Sequence, residues 1–123
     1  KKNSYQRKRE IIKMNVYDTA NRLAKELKES KEYMDYKKAK EEIAKQADKK
    51  KKIEDFEALR YEVQVLAMQG QEVSEEKNKK LQEMYALLVQ NQDIREYFDL
   101  EVKFNVMLAD VNKIIAEAVA DVL

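Results

Sequence analysis

Four consecutive cations, Lys49 to Lys52, are the most concentrated chemistry in the sequence, and Lys37, Lys38 and Lys40 form a second cluster upstream. Such a region can contact phosphates or an acidic partner through salt-sensitive, non-specific charge interactions. The competing reading is a solvated helix start whose lysines pair with Asp48, Glu54 and Asp55. The solvated reading is preferred, although four cations at a helix start oppose the macrodipole and make the run unusual. The charge is misplaced for a nucleic-acid domain, which is usually basic throughout. Six basic residues lie within 1–13 against Glu10 alone, and the remainder is mildly acidic.

Other constellations are weaker. Glu41-Glu42 and Glu75-Glu76 are carboxylate pairs, but a di-metal site in a bundle core calls for Glu-x-x-His motifs, and there is no His. The absence of His also removes the usual base for activating Ser4, Thr19, Ser30 or Ser74. No Cys means no thiol nucleophile and no cysteine-bound metal or cluster, and it fits a reducing compartment. A single Gly supplies no phosphate-cradling loop. A base-stacking platform needs exposed aromatics among cations, and only Tyr33 and Tyr36, beside Lys31 and Lys37, come near. The expectation is a non-catalytic protein without metal or cofactor.

The elements that would position these residues are all helical. With 40% charged residues and a net charge of +1, the 123-residue chain reads as one folded domain with a densely charged surface. Val16, Ala20, Leu23, Ala24 and Leu27 follow helical spacing and predict a first helix over 15–29. Ser30 is placed to cap a second, with Tyr33, Tyr36, Ala39, Ile43 and Ala47 as its apolar face. That phase fails at Lys50 and Glu54, and a new one starts at Ile53, Phe56, Leu59, Val63 and Leu66. The slip predicts a bend or break around 46–49, although a continuous helix is compatible with the lack of Gly and Pro. Gly70 should end the third helix. Ser74, with Glu75 and Glu76, should start a fourth that runs to about 90.

From Ile94 to Val122 the apolar positions 94, 97, 104, 108, 111, 115, 118 and 122 are spaced by alternating threes and fours apart from the gap at Glu101, close to a heptad seam. Glu101 is the only residue out of class. Phe98, Met107, Ile114 and Val119 widen the apolar arc to roughly 200°, twice the usual stripe. Such a helix spans about 45 Å, more than the fourth helix can cover. Either the third helix or a second copy must cover the rest. The expected architecture is all-α, about five amphipathic helices in an antiparallel bundle with a long C-terminal helix, dimeric. The candidate dimer face is Ile94, Phe98, Phe104, Leu108, Val111 and Ile115. Asp110, Lys113, Glu117 and Asp121 interrupt the most apolar stretch, so no membrane span is expected.

Residues 1–13 read as a basic leader without the apolar core of a signal peptide. Codons for Lys8-Arg9-Glu10 can resemble a ribosome-binding site three codons ahead of Met14. The leader is then either upstream translation or a genuine extension, and residues 14–123 form the single domain.

The order of segments resembles the YlbF/YmcA family of small helical bacterial proteins, most of all its YheA-type branch. The resemblance is carried by Ala20 to Tyr33, Tyr36 to Ala39, Phe56, Gln69-Gly70-Gln71, Val73-Ser74 and Asn91 to Ile115. It begins at Met14 and covers about 110 residues. It implies a cytoplasmic, all-helical, oligomeric protein of Gram-positive bacteria, without an enzymatic activity of its own. Its best-studied members form a complex that works with an endoribonuclease in mRNA processing and supports competence, sporulation and biofilm formation. Some of these have been associated with cysteine-bound iron–sulfur clusters, a property this Cys-free chain cannot share. Two functional expectations follow. The first is an adaptor or regulatory protein acting through protein–protein contacts. The second is an RNA-processing accessory factor that contacts RNA or an acidic partner through Lys37, Lys38 and Lys49 to Lys52.

Overall fold

Most helices begin where a short polar side chain can hold a free backbone N–H. In the computed structural model, which describes residues 15–123, Asn15 accepts from the Asp18 N–H at 2.9 Å and starts α1 (Val16–Glu29). The leader expected at 1–13, and Met14 with it, lie outside the described residues. Ser30 acts in two directions. Its hydroxyl donates to the Leu27 carbonyl at 2.6 Å, closing α1, and accepts from the Tyr33 N–H at 3.2 Å, opening α2 (Lys31–Ala44). Ser74 and Asn91 cap α4 (Glu75–Leu88) and α5 (Gln92–Ala118) by accepting from the Lys77 and Ile94 N–H groups, each at 3.2 Å.

The expected break after α2 falls at Lys45 and Gln46. Gln46 is extended, and α3 (Ala47–Met68) starts without a side-chain cap. This interruption resets the helical phase, so that Ile43 before it and Ile53 after it are both buried. Gly70, at φ +74°, ends α3, a conformation that a side chain would strain. The N–H groups of Gly70 and Gln71 bond back to the carbonyls of Ala67 and Leu66 at 3.1 and 3.0 Å, a Schellman closure. The α-helical part of α5 ends earlier than the expected Val122. Its last turn tightens into a 3₁₀ segment, Ala120–Val122.

α2 lies antiparallel to α5: Tyr33 meets Phe104 with ring centroids 6.0 Å apart, while Tyr36 lies 5.6 Å from Phe104 and 5.5 Å from Tyr97. α3 runs parallel to α5, as the pairs Lys49–Asp93, Glu57–Tyr97 and Arg60–Glu101 show. α4 returns antiparallel on α3 through Phe56–Tyr85 and Glu62–Lys77. The core gathers Ile43, Ile53, Phe56, Leu88, Ile94, Tyr97 and Phe98.

Two residues of the expected dimer face are occupied within the chain. Ile94 and Phe98 are 2% and 4% exposed and lie wholly inside the core of one chain. Phe104 is half-buried against Tyr33 and Tyr36. The apolar arc of α5 is wide because α2 and α3 both cover its first half. A helical wheel gives the width of an arc but does not assign its sectors to neighbours.

Candidate functional site

Glu101, the one charged residue on the α5 seam, is buried and joins three helices. One carboxylate oxygen accepts from the Arg60 guanidinium of α3 at 3.0 Å, and the other from the Tyr36 hydroxyl of α2 at 3.3 Å. A second bond runs beside it, from the Tyr97 hydroxyl to the Glu57 carboxylate at 3.1 Å. The Arg60 guanidinium also lies 5.4 Å from the centre of the Phe56 ring. Burial, above all, holds both phenols above their ordinary pKa, and the carboxylates of Glu57 and Glu101 add to the shift. Burial pulls Arg60 the other way, but its hydrogen bond to Glu101 and the charge of that carboxylate outweigh it, so Arg60 stands above its ordinary value. No buried side-chain nitrogen or oxygen among the described residues lacks a partner. This cluster fixes the register of α5 against α2 and α3.

Sequence periodicity does not reveal this network. The signal it offers is Glu101 itself, since a buried carboxylate calls for a cation or donors. Arg60 is 41 residues away, however, and nothing local points to it.

The lysine run is largely neutralised within the chain. Lys50 and Lys51 pair with Glu54 and Asp55 at 3.9 and 3.3 Å, one turn along α3, as the solvated-start reading expects. Lys49 instead reaches across to Asp93 at the start of α5, at 2.9 Å. This tie joins the start of α3 to the start of α5. Lys52 lines a groove of about 610 Å³ whose floor is Met84, Leu87, Leu88 and Ile94. Its rim also carries Asp48 and Asp55, so the groove shows no single sign of charge. Lys37 and Lys38 are exposed on α2 and line two separate depressions, neither of which Lys49 to Lys52 enter. The two lysine clusters meet only where Lys40 and Lys50 line one small depression, with Glu54 and Glu57 beside them.

Apolar surface is the more conspicuous feature. No residue of α1 is buried, and no residue of α5 beyond Glu101 is buried. Leu108 and Val111 are half-buried, Ile115 is 51% exposed and Ile114 68%. Among the described residues there is no group of three acidic side chains close enough to hold a metal ion, and no helix is long and apolar enough to cross a membrane.

Comparison with known proteins agrees with the resemblance carried by Ala20 to Tyr33 and by the later segments. The family model described as control of competence regulator ComK, YlbF/YmcA, matches residues 16–120. A UPF0342 protein of Caldicellulosiruptor saccharolyticus is 44% identical over 105 residues, which cover 85% of this chain and 88% of that protein. UPF0342 proteins of Desulfitobacterium hafniense and Bacillus cytotoxicus are each 39% identical, over 89% and 82% of this chain and 89% and 86% of their own lengths. A solved structure, a protein of unknown function (DUF964) from Bacillus stearothermophilus, has a TM-score of 0.74 at 17% identity. The match covers 86% of this chain and 93% of that one and establishes a shared helical fold. With a family match over nearly all the described residues and relatives this similar along most of their length, the chain belongs to the YlbF/YmcA family of proteins named for control of the competence regulator ComK.

Proposed function

We propose that the protein is a non-catalytic, cytoplasmic regulatory adaptor that works as a homodimer through contacts with other proteins. The observation that carries this reading is how the side chains are used. The buried Glu101 and the half-buried Arg60 and Glu57 are engaged with one another or with tyrosines in packing, whereas large apolar side chains stand exposed on α1 and the second half of α5. Exposed apolar surface of this kind marks protein contact surfaces. The family's name, which refers to control of a regulator, supports the same reading.

The alternative, an RNA-processing accessory factor contacting RNA through Lys37, Lys38 and Lys49 to Lys52, is less well supported. Three lysines of the run already have acidic partners, Lys37 and Lys38 line separate depressions, and Lys40 meets Lys50 beside Glu54 and Glu57. Mobility shifts with RNA at low and high salt, run beside affinity purification from the native host and reconstitution with the purified partner, test the choice. A reconstituted protein complex unaffected by replacing Lys49 to Lys52 with Gln supports the adaptor. RNA retention at low salt that disappears in the same variant overturns it.

A further inference from the structure

Two apolar helix faces leave the core at the same end of the molecule. α1 ends at Ser30, where α2 begins, and Tyr33 in the first turn of α2 lies on Phe104 of α5. α1 and the part of α5 beyond Phe104 therefore start from one place. The α5 seam that meets α2 through Tyr97, Glu101 and Phe104 continues past that contact as Leu108, Val111 and Ile115, with the three-four spacing unchanged and Ile114 beside it. On α1, Val16 and Tyr17 are 81% and 78% exposed at the start of the apolar stripe that runs to Leu27.

The exposed area of the whole chain leaves room for a large contact. The chain exposes 10386 Å², where a compact monomer of its 14.6 kDa would expose roughly 6,900 Å². Even if residues 1–14 are counted at the area of an unfolded chain, about 1,500 Å² per chain remains in excess. Two copies would then have about 3,000 Å² to bury, within the range of obligate homodimers. The charges flanking the seam, Asp110, Lys113 and Glu117, have both signs and select no partner of one charge. A seam with coiled-coil spacing is suited to its own copy.

We infer that a second copy of this chain covers this end, the α5 helices packing on each other beyond Phe104 across a twofold axis, with α1 of each copy closing the seam. The two copies then bury the same residues in a closed, isologous contact. The groove between α3 and α4 stays outside the interface. This extends the homodimeric part of the proposed function.

Sedimentation equilibrium on the full chain tests it, with circular dichroism on each variant. Ile114 and Ile115 are exposed in the isolated chain, so Ile114→Lys with Ile115→Lys should leave helicity unchanged. In the dimer the lysine at 115 falls in the seam and the one at 114 beside it. Loss of one central apolar anchor weakens such contacts by roughly 30-fold or more in Kd. The parent should sediment at twice its 14.6 kDa mass and the double variant as a monomer. Leu87→Lys, in the α3–α4 groove, should remain dimeric. If the double variant loses its helicity, Tyr17→Lys, at the start of the exposed α1 stripe, takes its place and should weaken the dimer. A dimer that survives all the α1 and α5 changes, or one dissociated by Leu87→Lys, overturns this surface while leaving the homodimer standing. A parent that is monomeric at micromolar concentration overturns both.

Discussion

Removing one partner of the Arg60–Glu101 pair exposes how α5 is held. The Glu101 side chain is 11% exposed and the Arg60 side chain 34%. The two deletions are therefore not equivalent. Without Glu101, Arg60 can swing its guanidinium into water. Without Arg60, the carboxylate stays buried with only the Tyr36 hydroxyl as donor. Stranding one member of a fully buried pair costs about 3–5 kcal/mol. The partial exposure of Arg60 reduces this to about 2 kcal/mol for Glu101→Leu, whereas Arg60→Met should cost about 3 kcal/mol. The loss of the guanidinium over Phe56 contributes up to about 1 kcal/mol of that second figure. The double variant should cost about 3 kcal/mol, no more than Arg60→Met alone, because an apolar pair of similar volume leaves no charge unpaired. Urea denaturation of all four proteins at one fixed concentration gives the cycle, since the midpoint of the proposed dimer would depend on concentration. The expected coupling is about 2 kcal/mol. Additive effects, or an Arg60→Met change below about 0.5 kcal/mol, would refute the view that this pair sets the register of three helices.

Further expectations follow from single contacts. Ser30→Ala removes both the cap of α2 and the bond that closes α1. It should cost about 1 kcal/mol, or roughly 4–8 °C in thermal midpoint. Changing Lys50, Lys51 and Lys52 to Gln should leave stability level or raise it by a few tenths of a kcal/mol, since cations oppose the α3 dipole. Lys49→Gln should lower it by about 0.5 kcal/mol by freeing Asp93. Tyr97 titrates above its ordinary value of 10.0 because burial disfavours the phenolate. A raised folded pKa gives stability that is complete below the unfolded value and lost above it. Urea midpoints should therefore fall as pH passes 10, and Tyr97→Phe should flatten that decline from a lower starting stability.

The helices were legible because their signals are local. Ser30, Ser74 and Asn91 stand at helix starts, and Gly70 sits where α3 must turn. The phase slip between Ile43 and Ile53 locates the break to within a few residues. What was not legible depends on contacts distant in sequence. Lys49 finds Asp93 across 44 residues, not the acids beside it. Glu101 was visible as an exception on its seam, but Arg60 was not identifiable as its partner. Ile94 and Phe98 share an arc with Leu108 and Ile115, yet their neighbours differ. The first pair lies among the helices of its own chain, and the second lies beyond the last buried residue.

Hydrogen exchange measured at several protein concentrations addresses the central claim most directly. In the isolated chain α1 and α5 beyond Phe104 lie outside the core and should open with little free energy, while amides near Phe56 and Phe98 open only with the whole domain. If a second copy covers that end, amides in 16–29 and 105–118 should gain protection as concentration rises, and those of α4 should not change. Fast, concentration-independent exchange in both segments would contradict the account.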